Sequence, residues 1–445
     1  MKKVIIGWIV LLILTATAFR IDSAELMESV QIPESEPAVK LKTLEKEKKK
    51  EDKAWVRIVI LNPESKQRWH RNIKLRGTQM KIYRAKEKTE VASLDLNRDS
   101  SVFQDDRVIM VEAKDGITIE GTWDKDVVYY GTLYIYRENS GLVMVNQVEL
   151  EDYVAGVVSS EIGVDAPKEA MKAQAVCART YIVSSKIKKY KKYKAEADDS
   201  TDYQVYNRNA PNKRCFQAAK ETRNLILTYQ GKTITAYYFS TSCGYTTNYR
   251  IWGREKKPYL SGCKVAKKWN QPSVNFEKYI RGKGDGYEKK QPYYRWKCYL
   301  NSGQIENAVA LMTGVDIGRF EKAEVNERGV GGIASQITIY GDERQVVVNN
   351  QMQIRKILCS SYMNLELQDG TIKTGLLMLP SAFIAMDTVY QGRVVSGLKI
   401  YGGGFGHGSG MSQNGAMEMA KQGCDYKQIL NHFYKKIRIQ KRETL

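Results

Sequence analysis

Histidine is scarce in this 445-residue chain: His70, His407 and His432 are all there are. That leaves little room for a histidine-rich metal site. Seven cysteines exclude a disulfide scaffold, and none stands in a CxxC spacing. Nine prolines and 34 glycines exclude collagen-like and low-complexity chains. There is no HExxH and no P-loop. The glycines near the C-terminus do not make GxGxxG in a βαβ unit, and Gly410-Met411-Ser412-Gln413-Asn414 fails the GxSxG elbow at its last position. What is in excess is positive charge. Lys and Arg number 70 against 50 Asp and Glu, a net +20 that suits a polyanionic partner. With 42% hydrophobic and 27% charged residues the chain is an ordinary globular mix, and its length predicts two or three domains.

The N-terminus says where that charge acts. Lys2 and Lys3 precede sixteen uncharged residues, Val4 to Phe19, and Arg20 follows. This is the pattern of an export signal. Two readings stand: a retained single-pass anchor over 1–20, or a signal cleaved after Ala16-Thr17-Ala18. Both place the chain outside the cytoplasm, in the membrane or secreted. Nucleic acid is thereby a poor partner, and anionic envelope polymers and cell-wall carboxylates remain. Residues 21–53, with Pro33, Pro37 and the mixed-charge run Glu45 to Lys53, read as a polar linker.

Residues 54–147 read as a β-rich module. Runs such as Val56–Ile60, Ile117–Ile119 and Thr132–Tyr136 are broken by Asn62-Pro63, Asp115-Gly116 and Ser140-Gly141. His70, between Trp69 and Arg71, reads as a surface histidine. From Val148 the period changes. Leu150, Tyr153, Val154, Val157 and Val158 share one helix face, and the next position on it is Glu161. Either the helix has ended there and Glu161 is solvated, or Glu161 is a carboxyl on the floor of a cleft with a raised pKa. A second helix is predicted with Asp165 as N-cap and Pro167 in the first turn. Its face Ala170, Ala173, Cys177, Thr180 and Tyr181 is mostly small, and Cys177 reads as core filler. Six lysines from Lys186 to Lys194 read either as a solvated basic face or as a contact for an anionic polymer.

Leu225–Tyr229 and Thr233–Phe239 flank Gln230-Gly231-Lys232 as a hairpin. The basic, aromatic stretch 264–300, with Trp269, Tyr287, Tyr293, Tyr294 and Trp296, suits sugar stacking, a mobile cleft wall or an irregular insertion. Seven glycines fall within residues 402–416, a loop that lets backbone approach a ligand or another chain closely. Ser412 is predicted to cap the next helix, Gly423 to end it, and Asp425 with Gln428 to start the last one. Cys243 and Cys263 are either a disulfide or two free thiols.

These segments resemble the SpoIID/LytB domain family. Residues 148–161, ending in Glu161, look like its first block, and Ala170–Tyr181 like its second. Asp202-Tyr203-Gln204-Val205-Tyr206 and Ser240–Thr246 resemble the third and fourth, and the loop around Gly406–Ala416 completes the set. The match is collinear over about residues 130–440. The resemblance implies an α+β fold: mixed antiparallel strands and helices around one cleft, over 148–445, after the β-rich module and the anchor or signal. It implies a peptidoglycan lytic transglycosylase with Glu161 as the catalytic carboxyl. Ser240, Ser242, Cys243, His407 and Gln413 would border the same groove and bind substrate. His407 has a second reading, as a brace for the glycine-rich backbone. Some family members hold zinc here, but Ser240 stands near a position where others have histidine, so no metal and no cofactor are expected. The expected partners are glycan strands stripped of stem peptides, the membrane through the N-terminal helix, and a cell-wall amidase acting beforehand. The alternatives are a non-catalytic modifier of such an amidase and a wall-binding scaffold.

Overall fold

The computed structural model describes residues 54–84, 87–103, 107–120, 127–185, 189–248, 257–266 and 275–442. The N-terminal apolar segment, the polar linker, Lys186, Lys188 and Trp269 lie outside the described residues. No described helix is long and apolar enough to cross a membrane. The described residues gather into two compact units, each of discontinuous segments. One draws on the described residues within 54–165, 182–225 and 441–442, the other on those within 166–181 and 226–440.

The first unit is built on a ten-stranded sheet. Its main path runs Ala197–Asp198, Trp55–Ile60, Gly141–Glu149, Thr132–Glu138, Val108–Glu112, Asn72–Tyr83, Ile117–Ile119, Val128–Tyr129. The ladders are antiparallel except where Ala197–Asp198 runs parallel to Trp55–Ile60. Trp55–Ile60 is buried at every position after the first, so it is covered on both faces and its run of Val and Ile needs no polar alternation. On one face Val59, Val143 and Val145 pack with Tyr134, Tyr190 and Tyr193. His70 is not on the surface. It is buried, with Nε2 2.9 Å from the carbonyl of Ile60, and burial lowers its pKa. Its short strand, Trp69–His70, pairs with Gly141–Glu149 and turns the ring inward.

That last strand runs directly into helix α1, Leu150–Glu161. Glu149 stands in the N-cap position with extended backbone and no side-chain cap, and Glu151 and Asp152 meet the positive end of the helix dipole. The turn closes at Ile162 and Gly163, whose N–H groups both reach the carbonyl of Val158; Gly163 takes φ +91. The helix is buried on more than the predicted stripe, because Ala155, Gly156, Ser159 and Ser160 are buried too. The two serines are satisfied by donating to the carbonyl of Gly156, at 2.9 and 2.8 Å.

In the second unit, helix α2 spans Lys168–Ser184 and belongs to this unit through Tyr181. Pro167, not Asp165, opens it: the Pro167 carbonyl accepts Met171 N–H at 3.0 Å. Ala170, Ala173, Cys177 and Thr180 are all buried. Thr180 Oγ1 accepts Leu227 N–H at 3.0 Å and so ties α2 to the strand Leu225–Tyr229. That strand turns through Gln230 and Gly231, both at positive φ, into Lys232–Thr233. The predicted long second strand is in fact two pieces, Lys232–Thr233 and Tyr238–Phe239.

Between residues 296 and 402 lies a β-rich body of which the sequence pattern gives no notice. Five strands run in the order Ile372–Lys373, Leu365–Leu367, Trp296–Asn301, Val394–Gly402, Ile384–Gln391. Three more form a separate sheet, Phe320–Arg328, Ala334–Gly341 and Gln345–Asn349. Trp296, Leu300, Ile337, Ile339, Phe383 and Leu398 belong to one core.

Candidate functional site

In the first unit, the last helical residue of α1 is Glu161, which is half-buried. Its Oε1 accepts the N–H of Val205 at 2.7 Å. Residues 204–209 wrap the end of the helix. Ser160 Oγ accepts Arg208 N–H at 3.0 Å, Ser159 Oγ donates to the Asn209 carbonyl at 2.6 Å, and Gln204 Nε2 donates to the Tyr153 hydroxyl at 3.0 Å. Tyr206 lies against Tyr153, ring centres 5.0 Å apart, and its hydroxyl donates to Asn146 at 2.8 Å. Gly156 permits this approach, since a Cβ there would stand 2.7 Å from the Tyr206 ring and 2.8 Å from Asn207 Oδ1. The segment Asp202–Tyr206 thus delivers one main-chain donor to one carboxylate.

Two charged residues that pattern reading passes over stand with this group. Arg208 is half-buried; burial lowers its pKa, while the charges of Asp199 and Glu161 support the cation. Asp199 is 1% exposed and accepts Leu61 N–H at 3.0 Å through Oδ1. Burial pushes its carboxyl up to about 7. The adjacent Asp198 is differently placed, receiving the Tyr190 hydroxyl at 2.6 Å and the Ser200 N–H at 3.0 Å.

In the second unit, the turn after Tyr238–Phe239 and the glycine-rich loop lie side by side. Tyr238 and Phe239 pair in parallel with Met411 and Ser412, Thr241 bridges Phe405, and Thr247 bridges Ser409. Gly410, at φ +82, makes this fit possible: a Cβ would fall 1.9 Å from the Tyr237 carbonyl. Ser240 is half-buried and its carbonyl accepts Asn414 N–H at 2.9 Å. Ser242 and Cys243 are fully buried, so their side chains serve the interior of this unit. Gln413 is 7% exposed and opens the helix Gln413–Lys421, which Ser412 caps by accepting Gly415 N–H. Asp425 and Gln428 form the predicted capping box of the last helix.

A carboxyl from the basic, aromatic stretch locks the two segments. Glu288 is completely buried. It accepts Ser242 N–H at 2.8 Å, the Ser412 hydroxyl at 2.6 Å and the Ser242 hydroxyl. Burial pushes its carboxyl up to about 7, against the pull of these donors. His407 is half-buried between the rings of Tyr237 and Phe239, and its Nδ1 accepts Ser409 N–H at 3.1 Å. Burial, and then the charge of Arg355, take its pKa down to about 4, so the ring is neutral at ordinary pH. All seven cysteines carry free thiols, Cys243 and Cys263 among them. Burial pushes the Cys243 and Cys177 thiols up to about 12, which makes both poor nucleophiles. Among the described residues no three His, Cys, Asp or Glu side chains are grouped as a metal site.

Of the predicted site residues, Ser240, Ser242, Cys243, His407 and Gln413 are therefore gathered in one place within the second unit. Glu161 belongs to the first unit, with Val205, Arg208 and Asp199. Glu288 is invisible to motif reading because nothing in Gly286-Tyr287-Glu288-Lys289-Lys290 separates it from a solvated charge.

Comparison with known proteins bears on these same segments. The family described as Stage II sporulation protein (SpoIID) matches residues 138–229, which include α1, Glu161 and Asp202–Tyr206. An uncharacterized protein of Brachyspira hyodysenteriae is 30% identical over 329 residues, 73% of this chain and 74% of that protein. Stage II sporulation protein D of Bacillus amyloliquefaciens is 27% identical over 70% of this chain and 79% of its own length. This chain belongs to the SpoIID family. A SpoIID relative of a different kind is the amidase enhancer of Bacillus subtilis (strain 168), 27% identical over 63% of this chain and 39% of that protein. The β-rich body and the glycine loop fall mostly in a second match, a domain of unknown function (DUF8618) over residues 246–410.

Proposed function

We propose that this SpoIID member is a peptidoglycan lytic transglycosylase acting outside the cytoplasm, on glycan strands stripped of stem peptides. The observation that carries the reading is the half-buried carboxyl of Glu161, fixed at the end of α1 by Val205 N–H. Two segments far apart in sequence converge on that one group.

The chemistry needs only one such group. A hydrolytic glycosidase uses two carboxyls, because water or an enzyme nucleophile must be activated apart from the leaving group. Here the muramyl C6 hydroxyl is the nucleophile, and its tether gives it a high effective molarity. Glu161 gives its proton to the glycosidic O4 as the C1–O4 bond breaks. The ionised Glu161 then takes the proton of the C6 hydroxyl as O6 bonds to C1. The product is a 1,6-anhydro-muramyl end and the enzyme returns to its starting state. The Val205 N–H supports the ionised form between the two steps. Membrane attachment through residues 1–20, or secretion, would place the site at the wall, in sporulation or wall remodelling.

A second reading has a specific source: the relative named as an amidase enhancer suggests a non-catalytic partner of a cell-wall amidase. Mass spectrometry of purified denuded strands after incubation with the full chain alone separates them. Anhydro-muramyl ends are expected. Unchanged strands, with stimulation of an added amidase, would replace the enzyme reading by the modifier.

A further inference from the structure

We propose that Arg355, with Gln351 one helical turn before it, forms a binding site for a carboxylate within the second unit. The proposal goes beyond the reading of Glu161 and does not rest on it. The short helix Gln351–Ile357 turns four residues inward, Gln351, Ile354, Arg355 and Ile357. Ile354 and Ile357 join the apolar core of this unit. Gln351 and Arg355, four positions apart, share one side of the helix and are 1% and 6% exposed. Among the described residues, neither the oxygen nor the nitrogen of the Gln351 amide has a hydrogen-bond partner. Among the same residues the Arg355 guanidinium makes one hydrogen bond, from Nε to the Leu379 carbonyl at 2.8 Å, and pairs with no carboxylate.

A second buried arginine of the same unit shows how the fold treats a guanidinium that serves structure. Arg295, 8% exposed, directs Nε to the Gly282 carbonyl at 2.9 Å. One of its terminal nitrogens donates to the carbonyls of Cys243 and Tyr294, both at 2.8 Å, and the other to that of Tyr279 at 3.3 Å. Arg355 uses Nε alone. Its two terminal nitrogens, the pair that grips a carboxylate side by side, have no acceptor among the described residues. A buried charge without a partner is costly, and a bound anion would offset that cost. The ionisable groups that feel this cation do not supply the missing charge. The Cys359 thiol, pushed up to about 12 by burial, donates to the Leu376 carbonyl at 3.3 Å. His407 is held neutral. Burial lowers Arg355 to about 10, which leaves it a cation at ordinary pH.

Main-chain bonds fix the place. On the helix side of the segment Leu379–Phe383, Leu379 N–H donates to the Arg355 carbonyl at 2.8 Å. Asn350 N–H reaches the Ser335 carbonyl at 2.9 Å, and the neighbouring Ala334 N–H reaches that of Ala382 at 2.8 Å. On the loop side, Gly406 N–H donates to the Pro380 carbonyl at 2.9 Å and Gly403 N–H to that of Phe383 at 3.1 Å. The helix of Gln351 and Arg355 and the glycine-rich loop of His407 are therefore bonded to the same five residues. Arg355 is the one cation this helix buries, which matches a singly charged anion. A planar carboxylate fits it, with two oxygens for the two terminal nitrogens and Gln351 Nε2 as a further donor.

The test uses the full chain with 15N-labelled arginine, whose Nε–H signals are read by NMR; the peak lost in Arg355→Lys assigns the one in question. Sodium acetate, titrated against sodium chloride at constant ionic strength, should move that peak along a saturable curve, and chloride should leave it in place. The melting temperature should rise with acetate and not with chloride. Arg355→Lys keeps the charge but not the fork, and should weaken the acetate response by at least about tenfold. Gln351→Met should weaken it by about threefold, yet melt no lower than wild type without acetate, because the amide it removes has no partner to lose. A peak that stays put, a linear drift, an equal response to chloride, or a Gln351→Met chain that binds acetate like wild type overturns the proposal. If Arg355→Lys does not fold, the acetate-dependent melting of wild type and its weakening in Gln351→Met decide it in the same way. Denuded glycan strands, whose muramyl residues carry lactyl carboxylates, then name the source. A response at lower carboxylate concentration than acetate, lost when the carboxylates are amidated, supports the site as one for the strand; no response to strands, with acetate bound, supports it as one for a free small carboxylate.

Discussion

Two glutamates, one in each unit, show what burial can and cannot do for a carboxyl. Glu288 is fully enclosed and its oxygens are taken by Ser242 and Ser412. Glu161 is half-exposed at a helix end, with a main-chain donor on one oxygen. Both lie in segments of mixed polarity, and burial pushes the Glu288 carboxyl up to about 7. Yet a group saturated by donors of its own fold has nothing to offer a substrate. Its work is to join the turn Ser240–Gly244 to the loop Gly406–Gln413. Glu161, half-exposed, is the one of the two that solvent reaches.

The sharpest way to break this contrast is to remove proton chemistry from the open carboxyl. Glu161→Gln keeps the size of the side chain and an oxygen for Val205 N–H. General acid–base catalysis contributes roughly 10²–10⁴-fold, and a loss at least that large is expected because the proposed mechanism gives both proton transfers to one group. Anhydro-muropeptide release from denuded strands measures it, with thermal melting as the control for folding. Wild-type-like release by a folded variant would dismiss Glu161. Asp165 and Glu169 would then be examined, although Glu169 already holds Lys172 at 2.8 Å and Tyr426 N–H at 2.9 Å.

The enclosed carboxyl should fail differently. Glu288→Ala takes the acceptor from the Ser242 and Ser412 hydroxyls inside the second unit and leaves Ser242 N–H only Ser412 Oγ at 3.2 Å, at roughly 1–3 kcal/mol for each unsatisfied buried group. A melting temperature many degrees lower is expected. Glu288→Gln tests the titration. The folded value of about 7 lies above the ordinary 4.5. The contribution is thus present below about pH 4.5 and lost as pH rises to about 7. In order of magnitude the loss is about 3 kcal/mol. Urea unfolding at pH 4.5 and 8 should show wild type weakening with pH and Glu288→Gln weakening less. Equal slopes would contradict a carboxyl titrating in that window.

How much of this was legible in the sequence follows from the range of each interaction. The period of residues 150–158 announces α1, because helix periodicity is local, and the same pattern singles out position 161. The capping box at Asp425 and the hairpin turn at Gln230-Gly231 are equally local. Glu288 meets partners 46 and 124 residues away, and no window along the chain contains them. Asp199 carries no signal of its own in the sequence, since its burial comes from the pairing of Ala197–Asp198 with Trp55–Ile60. His70 is misread for a like reason, its polar neighbours hiding a strand that faces inward. The units themselves trade segments at Ala166–Tyr181 and Ile182–Leu225, which reading in chain order does not reveal.

A smaller perturbation tests whether the open carboxyl depends on its frame. Gly156→Ala leaves every ionisable group in place. Its new Cβ would meet the Tyr206 ring at 2.7 Å and Asn207 at 2.8 Å. Overpacking of this kind typically costs about 1–3 kcal/mol. The segment that delivers Val205 N–H must shift, so kcat for strand cleavage should fall further than stability alone explains. A variant that melts early but cleaves normally would show that this contact is not needed to position Glu161.

The smallest effect concerns His407, and it decides between its two readings. A ring that handles protons at the wall should titrate near neutrality. A ring that braces backbone should not, because its Nδ1 accepts Ser409 N–H and needs to stay unprotonated. With the folded pKa near 4 and an ordinary value of 6.5, the ring's contribution to stability is present above about 6.5 and lost as pH falls toward 4. NMR of the three histidines between pH 8 and 5 should leave the His407 ring signals unmoved. The signals of His432, also taken down to about 4, should be equally still. A His407 midpoint near 6.5 would mean that the ring is open to water and available to a ligand. His407→Phe would retain the packing against Tyr237 and Phe239 but lose the Ser409 contact, so a modest loss of stability with strand binding retained is the outcome that fits the brace.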